Sequence, residues 1–124
     1  MPVPILKQGN CLIVSIQSML TDRDWQDLLQ QLLKQVGRFR SQGIVVDITA
    51  LDVLDSFATR TLRTIVDATR LRGAETVLVG VQPDVALAMV RLGLTARFQD
   101  VATALDLEEG LEVLSSLPRM TPGL

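Results

Sequence analysis

The sequence contains no histidine and no tyrosine, a single cysteine (Cys11), and only 3% aromatic residues. Each absence removes a class of chemistry. Without histidine there is no Ser-His nucleophile pair and no histidine metal site. One cysteine cannot close an internal disulfide or build a zinc or iron–sulfur centre, and it implies no secreted disulfide framework. Trp25, Phe39, Phe57 and Phe98 are scattered and form no platform for stacked bases. A formal net charge of −2 supplies no basic face for nucleic acid. There is no GxxxxGK or GxGxxG phosphate loop. No apolar run is long enough to span a bilayer, and no basic-then-apolar leader opens the chain. A soluble, cytoplasmic protein is expected, with no nucleic-acid or membrane partner, no cofactor and no metal.

What is present is an aliphatic core. Hydrophobic residues make up 48% of 124 residues, enough for one compact domain and too many for a disordered chain. The domain is expected to cover residues 1–117. From Pro118 the chain reads as a flexible tail, residues 118–124. No repeat, linker or low-complexity tract divides it.

The elements follow from local pattern. Ile5-Leu6-Lys7 and Cys11 to Ile16 flank Gln8-Gly9-Asn10, a hairpin signal, because such turns need positive φ. Thr21 or Asp22 can cap a helix over about residues 23–42. Its apolar stripe is Trp25, Leu28, Leu29, Leu32, Leu33, Val36 and Phe39, with Gly43 as its stop. The glutamine-rich opposite face suits a helix lying on a sheet better than one lying on anionic lipid. Ile44-Val45-Val46 with Ile48 is a buried strand. Ala58, Leu62, Ile65 and Thr69 then recur at helical spacing up to Arg72-Gly73. Thr76 to Val81 is the next strand, parallel to the previous one across a helical crossover. Pro83 opens a short helix ending at Gly93, with Ala86, Met89 and Val90 as its buried face. Arg97 to Val101 reads as a short edge strand. Thr103 with Asp106 resembles a capping box. Ala104, Leu107, Leu111 and Leu114 line a last helix, in which Gly110 costs roughly 1 kcal/mol against alanine. The expected fold is α/β: a mixed sheet with an N-terminal hairpin, central parallel strands and about four helices.

The organising stretch is IVVDITALDVLDSFATRTL, residues 44–62. A strand there runs into a loop carrying Asp52 and delivers Asp55-Ser56 to a helix start. Helix N-termini leave N–H groups without partners and favour negative charge. Ser56 has three readings. It is a helix cap, shared with or replaced by Asp55; it is a ligand contact; or it is a phosphorylation site. Asp47, Asp52 and Asp55 lie close in sequence, yet no acidic pair from an earlier strand or lysine after a later one completes a receiver-type phosphoacceptor site. No catalytic constellation is assembled, so no enzyme activity is expected.

The DITALDVLDSF stretch resembles the STAS domain of bacterial anti-sigma-factor antagonists, in which a strand ends in D-[IL]-[ST] and an Asp-Ser pair opens the second helix. PILKQGNCLIVSIQ, VGVQPDVALAMVRLGL and TALDLEEGLEVL extend the likeness to the stressosome-scaffold branch, the RsbS type, over about Pro4 to Leu114. Many stand-alone antagonists carry a small pair after Asp-Ser. Here Phe57-Ala58 stands there, which favours the stressosome branch. The resemblance implies a phosphoacceptor role for Ser56 alone; Thr59 and Thr61 match no role. It implies an oligomeric assembly with sensor STAS proteins of the RsbR type. It implies a serine-protein kinase of the histidine-kinase-like ATPase fold (RsbT type), held and then released on phosphorylation, and a metal-dependent serine phosphatase that resets the site. Asp52, Asp55, Phe57 and Arg60, the acidic corner and helix start, are the expected partner-binding residues. Two other functions stay open: a one-to-one antagonist of an anti-sigma kinase, and a small-ligand or nucleotide-binding STAS module with a pocket near Asp47 and Asp52. An interaction domain without a switch is the bland alternative.

Overall fold

The computed structural model describes residues 3–91 and 101–116. Five strands form one sheet in the order β1-β2-β3-β4-β5, with β1 (Ile5–Gln8), β2 (Cys11–Ser15), β3 (Gly43–Asp47), β4 (Glu75–Val79) and β5 (Ala102–Ala104). β1 and β2 are antiparallel across the Gly9-Asn10 turn, with Gln8 opposite Cys11 and Gly9 at φ +60°. The remaining neighbours are parallel, with Val14 opposite Val46 and Val46 opposite Leu78.

The helices are α1 (Asp22–Phe39), α2 (Ser56–Leu71), α3 (Pro83–Arg91) and α4 (Leu107–Ser116). The crossovers through α1, α2 and α3 each advance one strand in the same direction. The right-handed rule for such units therefore puts all three helices on one face. Period-two alternation divides β3 between two cores. Ile44 and Val46 pack in the large core with Trp25, Leu32, Leu62 and Ile65. Val45 joins Ile13, Val77, Val79 and Ala104 under α4 on the other face. Strands covered on both faces read as unbroken apolar runs, which is why 44–46 and 77–79 show no polar alternation.

Local rules explain the helix ends, with corrections. Thr21 caps α1: its hydroxyl accepts from Asp24 N at 3.1 Å, and its own N–H donates to Asp24 Oδ2 at 3.1 Å. The helix ends at Phe39, earlier than the expected 42. Arg40 takes the left-handed conformation, φ 50° and ψ 43°, which costs a non-glycine residue roughly 1–2 kcal/mol. Gly43 is not the helix stop but the first residue of β3. It is small there because a Cβ would lie 2.9 Å from Leu114 Cδ1. Phe39 is 37% exposed, outside the core stripe of Trp25, Leu28, Leu32 and Val36.

In α3 the buried residues are Val85 and Met89, four apart on one face; Ala86 and Val90, expected inside, are exposed. The fourth strand ends at Val79 because Gly80, at φ +72°, turns the chain away beside Thr49. Thr103 and Ala104 belong to β5, paired with Leu78 and Val79, and not to the last helix. Asp106 alone does the capping, its Oδ1 accepting from Glu109 N at 2.8 Å. Gly110 is buried against the sheet, and a Cβ there would lie 2.8 Å from Val79 Cγ2. Its helix-propensity cost is offset by the close approach of α4. The expected helix end at Gly93, the edge strand up to residue 100 and the tail 118–124 lie outside the described residues. Among the described residues no helix is long and apolar enough to cross a membrane.

Candidate functional site

The candidate site lies where β3 leaves the sheet at its carboxyl end. Asp47 starts the exit. Its Oδ1 accepts from Thr49 N at 2.9 Å and from Thr49 Oγ1 at 2.6 Å, an Asx turn that redirects the chain. Gln82 Nε2 donates to Thr49 O at 2.6 Å and ties this exit to the one after β4. Gly80 must lack a side chain because a Cβ would collide with Thr49 Oγ1. Of this clasp only Asp47 is singled out by the sequence, as a wall of a possible ligand pocket; Thr49, Gly80 and Gln82 are not, although D-I-T carries the Asx-turn signal.

The loop beyond it is pinned from beneath. Leu51 and Leu54 are buried in the large core. Asp52 and Val53 between them project outward, Val53 with 54% exposure. The apolar tip at Val53 has no periodic signal, since a loop carries no face to predict.

Asp55 is the cap of α2. Its backbone is extended (φ −76°, ψ 176°), and Oδ1 accepts from Ala58 N at 2.8 Å. Ser56 is the first helical residue and is exposed. The sequence left the cap open between the two; the structure assigns it to Asp55, so the Ser56 hydroxyl has no capping duty. Phe57 is half-buried against the large core. Arg60, one turn on, is exposed on the side of Ser56. The expected residues are thus brought to one corner: Asp52, Asp55, Ser56 and Arg60 at the surface, and Phe57 as the anchor below.

The neighbouring hydroxyls are occupied. Thr59 and Thr61 are 1% and 8% exposed, and their Oγ1 atoms donate to Asp55 O and Phe57 O at 2.8 and 2.9 Å. Ser56 alone among these three offers an accessible hydroxyl.

The electrostatics are mixed. The first-turn N–H groups of Ser56 and Phe57 find no acceptor within the helix itself, and the helix dipole favours an anion there. Asp52 and Asp55, with Asp84 in the first turn of α3, make the same end acidic toward anything that approaches. The corner can carry a phosphate internally and repel an acidic surface externally. The cavity described below is lined by residues at the other end of the sheet, away from Asp47 and Asp52. Among the described residues no group of His, Cys, Asp or Glu is placed to hold a metal ion.

A five-strand mixed sheet with an N-terminal hairpin, and an Asp-Ser pair opening the second helix, defines a known class. The chain belongs to the STAS-domain family, whose sequence model matches residues 3–110. Within it the chain is similar to a variant of RsbS from Moorella thermoacetica, at 37% identity and TM-score 0.80, covering 91% of this chain and 94% of that one. It is equally similar to a chain in the structure described as the molecular architecture of the stressosome, a signal integration and transduction hub. There the identity is 38% and the TM-score 0.80, covering 94% of this chain and 100% of that one. It also resembles RsbRA of Bacillus subtilis (strain 168), an RsbT co-antagonist protein, with 26% identity over 110 residues. That match covers 89% of this chain but 39% of RsbRA, so this chain spans well under half of that relative.

Proposed function

We propose that this chain is a non-catalytic scaffold of a bacterial stressosome that holds a serine-protein kinase of the RsbT type and releases it when Ser56 is phosphorylated. The observation that carries the reading is the state of Ser56. It is an exposed hydroxyl at the first position of α2, freed from capping by Asp55. The likeness to RsbS and to a stressosome chain, each above one-third identity, supports the assembly role. In this reading the chain co-assembles with sensor STAS proteins of the RsbR type, and a metal-dependent serine phosphatase resets the site.

The mechanism is electrostatic. Phosphorylation adds about −1.5 to −2 charge and three acceptor oxygens. The start of α2 accommodates this, since the N–H groups and dipole there stabilise an anion. A kinase docked over Asp52, Val53 and Asp55 meets the added charge and its desolvation cost instead. Arg60 pairs with the phosphate only at the surface, worth about 0–1 kcal/mol, and therefore tunes the release without deciding it.

Intact-mass analysis with peptide mapping, after incubation with ATP and an RsbT-type kinase, tests the site. A single phosphate on Ser56 is expected, with none on Ser56→Ala. Ser56→Ala should keep binding the kinase and fail to release it. Ser56→Asp should weaken binding less than phosphorylation does, because a carboxylate supplies one charge and two oxygens. Circular dichroism should be the same for all three. Equal kinase affinity for wild type, Ser56→Asp and phosphorylated protein would eliminate the switch. Affinity that falls only together with helix signal would replace the electrostatic mechanism with an order–disorder one.

A further inference from the structure

At the amino ends of the strands, opposite the Ser56 corner, a cavity of about 660 Å3 opens between the hairpin turn, the end of α1, the α2–β4 connection and α4. That volume suits a metabolite-sized molecule. Val36, Leu111 and Leu114 give it an apolar side, and Arg40 and Arg72 stand among its polar lining.

Three local irregularities converge there. Gly37 sits inside α1, where glycine is unfavourable, and a Cβ at that position would collide with the Arg72 guanidinium. The missing side chain lets Arg72 lie against the α1 backbone. Arg40 occupies a left-handed helix end, where glycine is the usual residue. The side chain of Ser41, 3% exposed, has no hydrogen-bond partner among the described residues. Each choice is poor locally, and departures from local rules cluster at functional sites.

The charge count favours an anion. Arg70 is paired with Glu75 at 3.2 Å. Neither Arg40 nor Arg72 has an ion-pair partner among the described residues. The carboxyl ends of α1 and α2 point to the same region and carry about half a negative charge each. Together they offset about one of the two free guanidinium charges, and about one positive charge remains. Complementing helix ends accounts for arginines here, but it accounts for neither Gly37 nor the unpartnered Ser41.

We propose that this cavity binds a small organic anion, a carboxylate or phosphate carried on an apolar body. The head lies between the Arg40 and Arg72 guanidiniums, with the Ser41 hydroxyl able to rotate toward it. The body rests on Val36, Leu111 and Leu114. The site is independent of the Ser56 switch.

The test is an amide-resolved NMR titration of the full chain with phenyl phosphate, benzoate and neutral benzamide. At least one anion should shift the Gly37, Ser41, Gly43 and Gly73 amides, and benzamide should bind at least about tenfold more weakly. The better of phenyl phosphate and benzoate names the head group. Arg72→Gln should weaken that anion about tenfold. Gly37→Ala should do the same with no change of charge, by displacing Arg72. Arg40→Gly should raise the melting temperature, by relieving the left-handed arginine, and still lose affinity, which separates binding from folding. No shifts at these amides, shifts centred on Ser56, equal binding of benzamide, or undiminished affinity in all three variants would overturn the proposal.

Discussion

Asp55→Ala and Ser56→Ala, compared side by side, test how the α2 start is built. In the structure Asp55 Oδ1 takes the Ala58 N–H at 2.8 Å, while Ser56 stands outside the cap. Removing the Asp55 side chain takes the acceptor from the N–H of Ala58, a buried residue at the edge of the exposed corner. The loss is that of a cap, about 1 kcal/mol within a range of about 0.5–2. A negative charge at the helix N-terminus also goes, worth about 0.3–1 kcal/mol. The two effects overlap, so about 1–2 kcal/mol is expected. Unfolding entropy near 2.1 cal/mol/K per residue gives roughly 0.26 kcal/mol/K for this chain, so the melting temperature should fall by about 4–8 °C. Ser56→Ala exchanges an exposed serine for a better helix former and should stay within about 0.5 kcal/mol of wild type. Asp55→Asn keeps the acceptor oxygen and loses the charge, so it should fall between them. Thermal and urea unfolding followed by circular dichroism measures all four proteins. If Ser56→Ala loses as much as Asp55→Ala, or if Asp55→Ala loses nothing, the cap has been assigned to the wrong residue. Phosphorylation of Ser56 would then disturb the helix start itself.

Val46 is fully buried at the centre of the sheet, so Val46→Asp should cost about 4 kcal/mol or more through an unpaired buried charge, and a folded variant with unchanged melting temperature would refute the central position of β3. Gly110→Ala should destabilise by about 1–2 kcal/mol despite the better helix former, because its Cβ would crowd Val79; a gain in chemical-denaturation midpoint would show that α4 shifts freely. The Thr21 backbone N–H, then its hydroxyl, hold the Asp24 carboxyl below its ordinary value. The unfolded chain therefore binds that proton more readily. This contribution should be complete above the ordinary carboxylate range and disappear as pH falls through the lowered value. Asp24→Asn should flatten the acid limb of the stability–pH curve, and an unaltered limb would argue against the capping box.

The Asp-Ser corner was legible because its parts are local. A β-branched run reads as a strand from its residue types alone, whatever it pairs with, and a carboxylate before a helical period finds its N–H partner three residues on. The same holds for the hairpin turn at Gly9-Asn10 and for the Thr21 cap. Even there, which of Asp55 and Ser56 caps was open, since both residue types satisfy the same N–H groups and only the backbone decides which stands at the last extended position.

Whatever depends on distant partners had to come from the tertiary structure. Thr103 has the sequence of a helix start but lies in a strand, because pairing with Leu78 satisfies its backbone first. Gly43 and Gly110 read as a helix stop and a helix defect; Leu114 and Val79, far along the chain, require both to be small. The exposure of Ala86 and Val90 follows from which side of α3 meets the core, and period alone cannot orient a helix that short. The cavity is the extreme case. Its walls come from the hairpin, two helix ends and α4, and Arg72 reaches Gly37 only after α1 and α2 have packed side by side on the sheet. Composition, turns, caps and strand runs are written in neighbouring residues. The sidedness of each helix, the duty of each buried glycine and the meeting of the arginines depend on contacts that exist only once the layers have closed.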